Sequence, residues 1–546
     1  MPRCLLSTLA ALAAAAGPAV AFELTLPGMD HPSTFEITET LSLDYHDDNL
    51  NGNAYDDRYG DIRNRLNLKL TVDDFVFSTR LDTVTFVEPP AIPDGENQAP
   101  FLDRYAPEKI SASYQGKRLK ATLGDFYASL GRGLALQVRK IDELGLDTTL
   151  TGAKLELELD RFDIVLLSGF SNPTNFEIYE KTVADTWDWI SGLSAASELG
   201  ERYRAGAHGV AALIDPFDVN GTDEASRLAK RAFIGGAFFE IPDLWGSGNL
   251  YLEADWMGST IPITDQRELQ KNSLAAYLSA NVHAGDWTLL TELKVLDDWE
   301  LFVLPPSGNG RYRSDLRIDY VIPPLLEPED LEISNNRDLS GGRLGASLRP
   351  GGGPTLFSLN AAVFYAQDLG EGLHRWIWNI WGGVEQRFLD SGKARLEAGW
   401  REEAPDYHGP AKRMLYVNAG LLVPLGARFS LDGHGFFWWV TEETPSREYV
   451  KGEWTLTLNR APGWAVGFIL GLDSERSGKV GLDIIDDSSG APIRQVFLAG
   501  TVQAKILNIV TLRLLAGQLR GGLKCVGSCQ LIPPFAGVRL ETVIRL

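Results

Sequence analysis

From Phe35 onward, apolar and polar residues alternate, and this period of two constrains the fold more than any other feature of the chain. Phe35, Ile37, Leu41, Leu43 and Tyr45 share one side of an extended segment, with Glu36, Thr38, Thr40, Ser42 and Asp44 on the other. After a polar loop, Ile62, Leu66, Leu68, Leu70 and Val72 alternate with Arg63, Arg65, Asn67, Lys69 and Thr71. Successive side chains of a strand point to opposite faces, so each segment presents one apolar and one charged side. One such hairpin fits a soluble sandwich as well as a membrane barrel. Repetition separates the two.

The pattern returns at 75–86, 109–115, 118–124, 151–159 and 162–170, then from 229 to 297, from 341 to 440 and from 449 to 546. It predicts about 22 strands, an even number, as in bacterial single-chain barrels. Tight turns such as Asp73-Asp74, Gly116-Lys117, Asp160-Arg161, Ala284-Gly285 and Leu425-Gly426 alternate with long connections at 46–61, 87–108, 125–150, 171–228, 298–340 and 474–490. A membrane barrel sorts its connections in this way, short on the periplasmic rim and long outside. Counting 205–214 alone as a strand would move 298–340 to the wrong rim. Residues 171–228 are therefore read as one loop, with short helices at Asp185–Leu199 and Asp223–Arg231. The predicted fold is all-β, a transmembrane antiparallel β-barrel over 34–546 with long extracellular loops and short periplasmic turns.

The N-terminus sets the compartment. Arg3 supplies a positive start, Cys4 to Ala16 an apolar run, Gly17-Pro18 a break and Ala19-Val20-Ala21 a small-residue cleavage site. This predicts a signal peptide over 1–21, a short periplasmic segment over 22–33, and export to the outer membrane of a Gram-negative bacterium. About 12 residues before the first strand leave no room for an N-terminal plug domain. No later apolar run nears the ~20 residues of a spanning helix, and in lipid the remaining solution is a closed barrel. The net charge of −22 argues against nucleic acid or anionic lipid surfaces as partners. The expected partners are outer-membrane lipid, the barrel assembly machinery and small solutes. In the last segment Val538, Leu540, Thr542, Ile544 and Leu546 share a face. Such an end resembles the assembly signal of outer-membrane barrels, although those usually finish on an aromatic residue where this chain has Leu546.

Between Gly124 and Gly152 the alternation lapses, in GDFYASLGRGLALQVRKIDELGLDTTLTG. At GDFYASLGRGLAL and LGLDTTLTGAKLEL, and at YGDIRNRLNLKL over Tyr59 to Leu70, the chain resembles an uncharacterised outer-membrane barrel family, a domain of unknown function. More loosely, Gly131-Arg132-Gly133 followed by D-x-x-x-x-G resembles alginate-export-type porins. The resemblance implies location and fold and carries no established activity. Glycines permit the close approaches and positive φ of a loop folded into a lumen. There Asp125, Arg132, Arg139 and Lys140 would form a constriction with Arg63, Arg65, Lys69, Arg80 and Asp82. The competing reading is two long strands kinked at the rim.

No G-x-S-x-G, H-E-x-x-H or P-loop is present, so no enzyme is expected. Asp432 and His434 share a strand face, which a polar pair in a lumen explains. Asp47, Asn49 and Asn51 open a D-x-N-x-N-G calcium loop, but Arg58 stands at the twelfth position where a bidentate Glu belongs, so a solvated loop is the default. No other cofactor is expected. Cys525 and Cys529, spaced C-x3-C, predict one local disulfide. Two functions remain open: a porin-like channel for small solutes narrowed by inward-folded loops, or a non-conducting barrel serving as a surface scaffold or secretion partner.

Overall fold

Strands that are apolar on one side and charged on the other can bury neither edge nor face alone, and closure satisfies both. The computed structural model describes residues 22–24, 33–50, 57–90, 101, 103–174, 188–200, 202–214, 231–264, 267–303, 318–328, 338–367, 374–389, 391–404, 411–443, 446–475, 495–506, 509–526, 528–532 and 534–546. The predicted signal peptide lies outside the described residues. Twenty-four strands form one closed antiparallel barrel, two more than the alternation predicts.

In chain order they are β1 (Ser33–His46), β2 (Tyr59–Val72), β3 (Phe75–Val87), β4 (Arg104–Gln115), β5 (Leu119–Phe126), β6 (Leu146–Glu158), β7 (Phe162–Pro173), β8 (Trp189–Leu199), β9 (Tyr203–Leu213), β10 (Arg231–Ile241), β11 (Gly248–Thr264) and β12 (Arg267–Ala284). The second half comprises β13 (Trp287–Asp297), β14 (Leu339–Leu348), β15 (Thr355–Gln367), β16 (His374–Phe388), β17 (Gly392–Glu403), β18 (Lys412–Pro424), β19 (Phe429–Glu443), β20 (Ser446–Arg460), β21 (Trp464–Asp473), β22 (Gln495–Ile506), β23 (Val510–Leu519) and β24 (Phe535–Arg545). Each pairs with its sequence neighbour, and β24 closes on β1 from Thr38↔Arg545 to His46↔Gly537. Phe22–Leu24 adds a short strand against Ser33–Phe35 at the short-turn end.

The two extra strands are β8 and β9, paired from Trp189↔Leu213 to Leu199↔Tyr203. They correct the single loop over 171–228 and the helix placed at Asp185–Leu199. As a pair they preserve strand parity, so the 298–338 connection stays at the long-loop end. The helix placed at Asp223–Arg231 lies outside the described residues up to Arg231, which begins β10.

Outward-facing residues form an apolar band. Leu123, Leu166, Phe233, Leu344, Trp400 and Leu498 are all exposed on it. Aromatic pairs mark both margins: Trp376 and Trp378 stack at 6.2 Å towards the long loops, while Phe75–Tyr114 (5.2 Å) and Phe429–Trp464 (6.2 Å) lie by the short turns. Such a belt is what a lipid-facing barrel surface requires. Trp381 and Trp438 have the opposite parity and are buried inward.

The lumen is filled unevenly. Residues Ala128–Leu130 and Leu136–Val138 pair as a short hairpin inside the barrel, with Leu134, Ala135 and Leu136 fully buried. One apolar cluster joins this hairpin to Trp299, Leu301, Tyr320 and Leu326 and to inward residues from β5 round to β20, such as Ile190, Ile234, Phe364 and Trp438. Nearer the short turns the lumen is open: inward-facing Asp432 and His434, 3.2 Å apart, keep 44% and 65% of their side-chain surface exposed.

Candidate functional site

The site is the inner lining, built where β5 leaves the wall. β5 ends at Phe126, whereas its neighbour β6 runs on past Thr149 to Leu146. Gly124 makes the departure sterically feasible: its φ is +93° and an added Cβ would lie 2.0 Å from the Ile110 carbonyl oxygen. Beyond the last pair, Ser111↔Gly124, the Asp125 carboxylate accepts from the Ile110 N–H at 2.6 Å and from Thr149, Thr151 and Asn172. Asp125 has the parity of outward-facing Leu123, so it seals the wall and lines no constriction. This corrects its placement in the pore.

On the lumen side, the gap between β4 and β6 is bridged through Asp147. Its carboxylate accepts from Lys109 Nζ at 2.5 Å, Arg80 Nη1 at 2.5 Å and the Tyr127 hydroxyl at 2.7 Å. A bulge opposite Arg80–Leu81 turns both Glu108 and Lys109 towards this network. Burial, and then the Asp147 carboxylate beside it, push the Tyr127 phenol well above its ordinary pKa, so it stays a donor. Asp147, the hub, carries no sequence signal beyond its place in the LGLD motif.

From Asp147 a belt of opposite charges follows the inner wall. Arg80 also pairs with Asp82, Arg65 reaches Asp82 at 3.3 Å, Arg63 bridges Asp44 and Asp61, and Arg539 of β24 donates to Asp44 at 2.6 Å. His46 completes it, 3.2 Å from Asp61 and stacked on Tyr59. Arg63, Arg65, Arg80 and Asp82 are thus brought together, and a recess of about 200 Å³ opens beside them, lined also by Arg104, Glu108 and Glu541. Lys69 sits apart, near the short turns, paired with Glu36 at 3.0 Å.

A second recess of about 510 Å³ lies between the hairpin and residues 322–328, lined by Arg132, Arg139, Arg343 and Glu327. Arg132 sits at the hairpin turn with its guanidinium 4.3 Å over the Tyr251 ring. Lys140 lies outside this recess, exposed and paired with Asp142 at 2.5 Å. The hairpin is held by backbone bonds to the lumenal segment, Gln137 N–H to Tyr320 at 2.7 Å and Ile322 N–H to Gly133 at 2.8 Å. The Trp299 indole donates to Leu134 at 3.1 Å. That segment is pinned to the wall by Glu327, which accepts from buried Arg401 at 2.9 Å and from Asn379 at 2.8 Å.

Of the proposed calcium ligands, Asp47 accepts from the Asp48 N–H at 2.9 Å, and Asn49 is buried with its amide donating to the Pro534 carbonyl at 3.0 Å. Asn51 lies outside the described residues. The backbone sets Cys525 opposite Cys529 in a hairpin, Gly522–Val526 against Ser528–Ile532.

Among solved structures, the siderophore receptor PirA from Pseudomonas aeruginosa is similar at 9% identity, over 94% of this chain and 80% of that one, with a TM-score of 0.47. The translocation pore of the P pilus usher (PapC) aligns at 12% identity over 94% and 99%, with a TM-score of 0.41. A BenF-like porin from Pseudomonas fluorescens Pf-5 aligns at 8% over 71% and 98%, with a TM-score of 0.37. No curated protein matches the chain. The profile of a family of unknown function (DUF6029) matches residues 8–203, a stretch that contains both the departure of β5 and the inner hairpin.

Proposed function

We propose that the protein is an outer-membrane channel for small hydrophilic solutes, restricted by the inner hairpin and by residues 298–303 and 318–328. The supporting observation is the unevenness of the lumen. A largely apolar core, crossed by buried ion pairs such as Arg401–Glu327, fills the sector from β5 to β20, and the continuous charged belt with its recess occupies the sector from β24 to β4. A barrel of this size either leaves an aqueous channel or is plugged. Here the plug occupies one side, and a solute would pass along the charged side. On this reading the long loops face outward from the cell, the short turns face the periplasm and the apolar band meets lipid. The assembly machinery inserts the barrel, and the chain is not an enzyme.

The extent of the apolar core favours a second reading, a barrel closed at rest that serves as a scaffold or secretion partner. Planar-bilayer recording on the purified protein separates the two. Discrete current steps are expected for a channel; correctly folded protein that inserts and stays silent supports the scaffold.

A further inference from the structure

Beneath the hairpin turn, three buried ionisable side chains meet with no paired arginine or lysine among the described residues. His208 on β9 and Glu253 and Asp255 on β11 have no exposed side-chain surface. His208 Nε2 lies 2.5 Å from Asp255 Oδ1 and 3.6 Å from Glu253 Oε1, and one donor atom from each residue falls within 4.8 Å of the others. Glu253 Oε1, Asp255 Oδ2 and His208 Nδ1 are buried with no hydrogen-bond partner. Glu253 Oε2, by contrast, is well satisfied, accepting from the Tyr251 hydroxyl at 2.6 Å and the Arg132 backbone N–H at 2.8 Å.

Two glycines make room for the group. An added Cβ at Gly236, on the intervening strand β10, would lie 1.8 Å from Asp255 Oδ1, and one at Gly131 of the hairpin would lie 1.8 Å from Glu253 Oε1. Asp44, His46 and Asp61 also come together at the inner wall. Those three form a similar cluster, but Arg63 and Arg539 already sit on its carboxylates. At His208 no arginine or lysine pairs with either carboxylate among the described residues, and the guanidinium of Arg132 is turned to the Tyr251 ring. With both carboxylates ionised, even a protonated imidazole would leave net negative charge in a site shielded from water, which is costly unless a cation compensates it.

We propose that His208, Glu253 and Asp255 bind a divalent first-row transition ion of the zinc type. Imidazole nitrogen with two carboxylate oxygens suits such an ion, whereas calcium prefers six or more oxygens. Ligand atoms around tetrahedral zinc stand about 3.3 Å apart, so the His208–Asp255 contact opens slightly on binding. The ion locks Glu253, whose other oxygen holds the hairpin turn, and thereby ties the lumenal hairpin to the wall. The inference is independent of whether the barrel conducts.

The test uses tag-free, full-length protein in detergent, stripped with chelator and titrated with Zn²⁺ and separately with Ca²⁺, followed by calorimetry and elemental analysis. About one equivalent of Zn²⁺ and no Ca²⁺ is expected, with slower amide exchange at residues 131–135 once zinc is bound. Glu253→Gln and Asp255→Asn, checked for barrel folding by heat-modified gel mobility, should each weaken Zn²⁺ binding by about 100-fold. Wild-type protein that takes up no Zn²⁺, or variants that bind it as tightly as wild type, would overturn the proposal; a buried proton shared by the carboxylates would then balance the charge.

Discussion

At the residue scale, Gly124 and Glu327 do different kinds of work for the same lumenal structure. Gly124 holds a positive φ with the Ile110 carbonyl where a Cβ would be, so Gly124→Ala combines strain with a backbone clash. We expect a loss of about 1–3 kcal/mol, read as a lower temperature of heat-modified gel mobility; an unshifted transition would contradict the geometry. Glu327 is the partner of Arg401, which is 1% exposed and also bonded to Glu403. Glu327→Ala leaves that guanidinium without its lumenal partner, a change worth about 3–5 kcal/mol when a buried pair is broken on one side. The expected readout is fast amide exchange over 318–328 while the wall strands stay protected. Equal protection in variant and wild type would show that Glu327 does not pin the segment. Single residues of this sort were only partly legible. Arg63, Arg65, Arg80 and Asp82 are legible because they alternate with apolar or small neighbours such as Ile62, Leu66 and Leu81, whereas Asp125 reads as pore chemistry and its parity with Leu123 places it on the outer face.

At the element scale, legibility followed contrast between faces. In β17, Lys393, Arg395, Glu397 and Arg401 oppose Ala394, Leu396, Ala398 and Trp400, and the strand could be read directly. β8 and β9 lack that contrast. Gly192, Ser194 and Ala196 face a lumen packed by the hairpin, Leu130 lies 2.8 Å from where a Gly192 Cβ would be, and Ala205, Ala207 and Ala211 face outward. Small residues on both sides erase the period of two, and a run such as LSAAS then reads as helix. The hairpin inside the lumen and the missed strands have one cause, since filling the lumen removes the polar signal from the wall that surrounds it. The extra pair also carries a prediction about sidedness. The β8–β9 turn at 200–202 belongs to the short-turn end, so an epitope inserted there should be labelled only in permeabilised cells. One inserted within 476–494 should be labelled on intact cells. The reverse pattern would invert the topology.

At the scale of the whole molecule, a closed wall of 24 strands, a largely apolar plug on one side and a charge-paired lining on the other are what the proposed channel rests on. The polar side holds its charges in ion pairs that keep arginine side chains fixed, while Arg104 in the recess has no carboxylate partner among the described residues. The plug is anchored by a few identifiable contacts, and removing it should widen the path without dismantling the wall, because β5 and β6 stay paired from Leu119↔Leu157 to Phe126↔Leu150. The most direct test is single-channel conductance in planar bilayers, wild type against a variant lacking residues 128–144. The account predicts small discrete steps for wild type and steps several-fold larger for the deletion, as expected when a constriction in a wide barrel is removed. Identical conductance in the two, or silence from both after verified insertion, would contradict it.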